Sequence, residues 1–259
     1  MPPATTRSTP EPRLSRPQQV AEAIKQWVME EGWQPGHRLP SEPELIDRFA
    51  MAKSTIREAL RILEAQGLVK SRTGPGGGVF VHAVSEQRAA ALLGNYFYFR
   101  DLTIDDIYQL RRALEPELAA SLAGRLSDEQ LAELEATRAS YAAQPATTAE
   151  EEREQHIGSL RFHAQLAEMS DNPLLRFLIR FTANMLSEIT VTRGLYDPPN
   201  PHLWQSGVEF QARLLAALRD GDAERARSVL GEHMDTAHRF MKAQEAAVIR
   251  RFLPEEPLF

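Results

Sequence analysis

The chain has 259 residues, enough for two domains with separate cores, and 42% of them are hydrophobic, an ordinary share for a soluble protein. It holds no cysteine, which excludes a disulfide framework, a thiol nucleophile and a cysteine-ligated metal; its apolar runs are too short to span a bilayer. The net charge of −6 divides unevenly: residues 1–82 carry 11 Lys+Arg against 9 Asp+Glu, and the remainder 19 against 27. Within 48–72, Arg48, Lys53, Arg57, Arg61, Lys70 and Arg72 face only Glu58 and Glu64. A polyanion responds to that local field, not to the total, so a basic stretch and an acidic body have different tasks.

Residues 1–16, rich in proline, threonine and arginine and without the apolar segment of a secretory signal, are expected to form a disordered arm. A helix is predicted over 17–31, with Val20, Ile24, Trp27 and Val28 on one stripe and Gly32 as its stop. Ser41 with Glu44 makes a capping box for a short helix whose Leu45, Ile46 and Phe49 share a face. After Ala50-Met51-Ala52, Ser54 or Thr55 is the expected cap of a second helix, with Ile56, Ala59, Leu60 and Leu63 at helical spacing. Gly67 ends it, and Leu68 and Val69 begin a hairpin that turns through a glycine-rich tip, 74–78, and closes at Val81. Two helices joined by a tight turn, the second with cations on its outer face, followed by a hairpin, are a winged helix-turn-helix over 17–82.

Residues 83–102 read as a linker with a helical look, and Tyr96, Phe97, Tyr98 and Phe99 are expected to pack between domains. From Thr103 to about 249 the pattern is helical throughout. Start signals stand at Thr103 with Asp106, Ser127 with Gln130, near Ala149, at Asn172-Pro173, near His202 and at Gly221-Asp222. Six helices with mostly short connections make an all-α bundle, and 250–259 is a loose tail. The fold class is therefore mainly α.

Four bundle helices turn polar groups toward their apolar faces. Arg111 lies on the stripe of Ile104, Ile107, Leu114 and Leu118, and His156, Ser159 and His163 share a face. Gln211 lies with Trp204, Leu214, Leu215 and Leu218, and His233 with Ala226, Val229, Leu230, Ala237 and Phe240. Burying an unpaired cation or imidazole costs on the order of several kcal/mol. One histidine alone is most simply satisfied by a neighbour; four inward groups together point to a shared polar pocket. Arg111 suits a carboxylate through its donor fork.

With these residues in place, the chain resembles the GntR superfamily of bacterial transcription regulators, in the FadR-like branch with an all-helical FCD effector domain. PGHRLPSEPEL, STIREALRILEAQGLV and a glycine-rich wing ending VFV carry the first half of the resemblance. LRRALEPELAA, RFHAQLAEMSDNPLL and LLAALRDGDAERARSVLGEHM carry the second. The resemblance implies a homodimer on a short palindromic operator, with the second helix of the motif in the major groove and the wing near the minor groove; the lack of cysteine suits a cytoplasmic protein. Lys53, Ser54, Thr55 and Arg57 match family positions that touch DNA, Arg57 being the choice for guanine and Lys53 for a phosphate or guanine. Arg38 and Gly74 are lesser DNA candidates, and Arg61 is assigned to a solvated face. Where relatives carry an arginine after the SE of LPSE, this chain has Pro43, so one contact is expected to be missing.

Many FCD domains hold a divalent metal with one aspartate and three histidines. His163 and His233 match two of those positions, but Ser159 and Gln211 occupy the others. Two imidazoles alone make a poor metal site, so the resemblance with these departures implies metal-independent effector binding by Arg111, Ser159, His163, Gln211 and His233, with weak divalent-metal binding by His163 and His233 at a degraded site as the lesser alternative. The expected function is a ligand-responsive regulator, a repressor released by a small carboxylate-type effector, without a cofactor and without a membrane. The alternatives are a helical metal-dependent enzyme and a DNA-binding protein with a vestigial pocket. Against the first, di-iron bundles need Glu-x-x-His pairs, and Arg153 and Leu230 stand three residues before His156 and His233.

Overall fold

A computed structural model of the chain describes residues 14–197 and 199–252, so most of the expected arm and tail lies outside the described residues. The chain divides into two compact units between residues 89 and 90.

The first unit holds α1 (Arg16–Glu30), α2 (Glu42–Phe49), α3 (Lys53–Ala65), β1 (Val69–Arg72) and β2 (Gly78–Val81). Its core gathers Val20, Ala21 and Ile24 of α1, Leu45 of α2, and Ile56, Ala59 and Leu63 of α3, with Leu39 and Val69. Each fully buried aliphatic side chain contributes roughly 1.5–3 kcal/mol. Trp27 is half-buried and takes the Arg48 guanidinium over its ring at 3.7 Å, which occupies one of the six cations. The Ser41–Glu44 box forms: the Ser41 amide and hydroxyl donate to the Glu44 carboxylate at 2.7 and 2.6 Å.

The second helix begins earlier than its expected caps. Ala50 adopts a left-handed conformation (φ +50°), the turn closes at once, and the amides of Thr55 and Ile56 donate to the Ala52 carbonyl. Ala52 is therefore the N-cap, and Ser54 and Thr55 stand inside the first turn. At the other end Gly67 (φ +80°) and Leu68 donate back to Glu64 and Leu63, so β1 starts at Val69. β1 and β2 pair antiparallel from Val69↔Val81 to Arg72↔Gly78. Residues 36–39 bond the open edge of β2, Leu39 donating to Val79 and Gly36 to Val81 at 2.8 Å.

α4 (Glu86–Tyr98) turns much of the expected linker into helix. Its four aromatics do not pack as one group, because consecutive helical residues point about 100° apart. Phe97 meets Phe181 with centroids 6.0 Å apart, whereas Tyr98 and Phe99 are 80% and 82% exposed.

The bundle comprises α5 (Ile104–Leu122), α6 (Asp128–Ala142), α7 (Ala149–Glu168), α8 (Pro173–Thr192), α9 (Pro201–Asp220) and α10 (Ala223–Phe252). The caps at Thr103 and Ser127 form with the partners the sequence suggests, and Asn172 caps α8 by accepting from the Leu174 and Leu175 amides. Asp222 accepts from the Arg225 amide at the start of α10. Leu118, Leu134, Leu166, Ile179, Leu186, Leu214 and Leu230 anchor one continuous core. Among the described residues no helix is long and apolar enough to cross a membrane.

Candidate functional site

The basic face of the first unit lies on the first two turns of α3. Lys53 and Arg57, four residues apart on one helix face, are 62% and 56% exposed. Ser54 is exposed and Thr55 half-buried beside them. Both cations meet one carboxylate: Arg57 Nε donates to Glu42 Oε2 at 2.7 Å, and Lys53 Nζ lies 3.3 Å from Glu42 Oε1. The Arg57 hydrogen bond above all, with Lys53 assisting, holds the Glu42 carboxyl below its usual range.

Arg38 pairs with Phe80 through the backbone, and its guanidinium lies over Gly78, where an added Cβ would come 2.8 Å from Nε. Gly74 (φ +94°) stands in open space, its carbonyl accepting from the Gly77 amide at 2.8 Å to close the wing tip. Arg61 pairs with Glu58 at 3.3 Å on an exposed face. Pro43 occupies the first turn of α2, leaving that position without a donor side chain.

In the bundle, α5, α6, α7, α9 and α10 line a cavity of about 30 Å³, bordered in part by Arg111, Ser159, His163 and His233. That is room for one or two waters. Gln211 is fully buried but does not line this space. The centre of the arrangement is Glu115, which the sequence reading passed over. It is 2% exposed and shared: Arg111 Nε donates to Oε1 at 2.6 Å, and His163 Nδ1 meets Oε2 at 2.6 Å. Burial alone would raise its carboxyl; Arg111, His163 and their hydrogen bonds together outweigh that and hold it well below the carboxylate range.

Several buried atoms in this region have no partner among the described residues: Arg111 Nη2, His233 Nδ1 and both amide atoms of Gln211. The Phe210 ring stacks on His233 at 3.7 Å, and the His163 and His233 rings lie near-parallel with centroids 5.3 Å apart. Burial, with His163 and Arg111 nearby, keeps His233 far below the usual imidazole range, hence neutral. Burial and Arg111 also push His156 down to about 4; its Nε2 contacts the Thr190 hydroxyl at 3.1 Å. Tyr141 is pushed up by burial and hydrogen-bonded to Ser159. Its hydroxyl also sits against Gly207, where an added Cβ would come within 2.5 Å.

Among the described residues no group of three or more His, Cys, Asp or Glu side chains could hold a metal ion. The donor set explains this. Ser159 and Gln211 are weak neutral donors, and the two imidazoles stack instead of converging. The Glu115–His163 contact has the form that orients a metal-binding histidine. Here the outer carboxylate is present while two inner ligands are replaced, so the residues do not fit the four-ligand metal site.

A winged helix-turn-helix carrying paired cations and a helical bundle with a buried polar cavity are the parts of a DNA-binding transcription regulator. Comparison with known proteins agrees. The model "Bacterial regulatory proteins, gntR family" matches residues 16–81, and "FCD domain" matches residues 106–236, half of the chain. The chain is 26% identical over 227 residues to the Uxu operon transcriptional regulator of Escherichia coli, covering 84% of this chain and 83% of that one. It is 26% identical over 204 residues to the HTH-type transcriptional regulator LutR of Bacillus subtilis, covering 77% and 89%. A Streptococcus agalactiae GntR structure shares the fold with a TM-score of 0.60 at 22% identity, over 86% of this chain and 99% of the other. The chain belongs to the GntR family of bacterial transcription regulators, with an FCD domain.

Proposed function

We propose that this chain is a cytoplasmic, homodimeric repressor, with 17–82 reading a palindromic operator and 103–249 sensing a small organic acid and dimerising. α3 enters the major groove. Arg57 reads a guanine, Lys53 a phosphate or guanine, and Ser54 and Thr55 add contacts near the helix start. Arg38 and Gly74 meet the backbone from the wing side. The names of the relatives, an Uxu operon transcriptional regulator among them, support a role in controlling an operon.

The observation that carries the sensing half is the pair of buried atoms without a partner on residues that line the cavity, Arg111 Nη2 and His233 Nδ1. Each unmet buried polar atom costs about 1–3 kcal/mol, and a ligand bearing a carboxylate and a further polar group meets them. Glu115 already takes one nitrogen of Arg111, so the acid binds the free Nη2 edge. The cavity is too small for an effector of several heavy atoms, so binding must move its walls, Tyr141 and Trp204 among them. A ligand that prefers the expanded bundle shifts operator affinity by that same preference. Effector binding needs no metal.

The test is a thermal-shift screen of small carboxylates with and without chelator. Stabilisation by a carboxylate that is lost in Arg111→Ala and unaffected by chelator is the expected result. A stabilising ligand that works only with added metal, or none across a broad panel, contradicts the proposal; the latter favours a vestigial pocket.

A further inference from the structure

We infer that Glu42 is a positioning residue for DNA readout: it holds Arg57 by its Nε, so that only the outer edge, the two terminal nitrogens, is presented to a base. This inference rests on the reading of α3 as the base-reading helix.

The geometry is specific. Glu42 opens α2, not α3, so the contact crosses the turn of the motif and ties the two helices together at their start. Each carboxylate oxygen takes a different cation, Oε2 the Arg57 Nε at 2.7 Å and Oε1 the Lys53 Nζ at 3.3 Å. Glu42 is 27% exposed against 56% for Arg57, so the carboxylate lies nearer the protein and the guanidinium farther out. Among the described residues the hydrogen bond of Arg57 is made by Nε, and none is made by its terminal nitrogens.

An arginine can meet guanine O6 and N7 with either of two nitrogen pairs, Nε with one terminal nitrogen or the two terminal nitrogens together. With Nε spent on Glu42, the end-on pair remains. A free arginine must lose side-chain freedom when it meets a base; one already held loses less. Glu42 also cancels one of two neighbouring positive charges, which lowers attraction to any phosphate backbone regardless of sequence. The two effects have opposite signs: removing the carboxylate weakens binding to the preferred sequence and strengthens binding to others. A merely structural acid would weaken both alike.

The experiment uses the full chain and a duplex recovered by its own selection from a randomised pool, set against a shuffled duplex of equal length. Affinities for both are measured across a salt series for the wild type, Glu42→Ala, Glu42→Gln, Arg57→Ala and the double variant Glu42→Ala, Arg57→Ala, with melting temperature as the check on folding. Good bidentate contacts discriminate by roughly fivefold to 150-fold. Glu42→Ala is expected to lose about tenfold of the preference while binding the shuffled duplex more tightly, and Glu42→Gln, which keeps an acceptor for Nε, to lose less. In the Arg57→Ala background, Glu42→Ala is expected to change the preference no further. Loss in Arg57→Ala with full preference in both Glu42 variants overturns the role of Glu42 alone. An equal loss from Glu42→Ala with and without Arg57 also overturns it. Full preference in Arg57→Ala contradicts the docking of α3 itself.

Discussion

Removing the Glu115 carboxylate should be the most damaging single change in the bundle outside its apolar core. Glu115→Ala leaves the Arg111 guanidinium, 2% exposed, without the carboxylate it donates to, and strips the Nδ1 partner from His163. Breaking a buried pair by deleting one partner costs about 3–5 kcal/mol, because the remaining charge stays desolvated. For a unit of this size each kcal/mol moves the melting temperature by roughly 2–4 °C, so a fall of about 6–20 °C is expected. The assay is thermal unfolding of the full chain by circular dichroism at pH 7. Arg111→Met with Glu115→Met should recover most of the loss, since removing both charges removes the desolvation cost along with the attraction. A fall below about 3 °C for Glu115→Ala would show instead that Arg111 finds water or another partner easily and that the buried pair is not what holds this region.

The remaining predictions concern pH, metal and packing. His156 titrates near 4 in the fold but near 6.5 when unfolded, so the unfolded state binds its proton first and stability falls as pH drops from about 6.5 to about 4. The cost is on the order of 3 kcal/mol, read as the difference in acid-induced destabilisation between wild type and His156→Gln. Glu115 has a lowered folded value, so its contribution is present above about 4.3 and is lost only as pH falls through a lower range. Zinc or nickel should leave the wild-type melting temperature unchanged, whereas Ser159→Asp with Gln211→His should make it rise on metal addition and fall with chelator. Gly207→Ala drives a methyl into the Tyr141 hydroxyl and should cost about 1–3 kcal/mol in thermal unfolding.

Much of this arrangement is local in origin and therefore visible in the sequence. Capping boxes involve residues three apart, and those at Ser41, Thr103 and Ser127 form with the suggested partners. The inward faces of Arg111, His163 and His233 follow from helical periodicity, and all three line the cavity. What escaped depends on spatial neighbours. Glu115 sits four residues after Arg111 on the same apolar stripe, a pairing signal that could have been read, but its bond to His163 joins two helices. Glu42 looks like an ordinary first-turn acid until α3 folds back across it. α3 starts before its sequence signals at Ser54 and Thr55, because the left-handed Ala50 closes the turn without a glycine to announce it.

One titration decides whether α3 reads DNA under the control of the bundle cavity. A fluorescent duplex selected from a randomised pool is titrated with the full chain, alone and with the carboxylate that most raises its melting temperature. Tight, salt-sensitive binding that the carboxylate weakens tenfold or more is predicted, with the weakening lost in Arg111→Ala. Operator binding that no stabilising carboxylate alters, or no sequence preference at all, would contradict it.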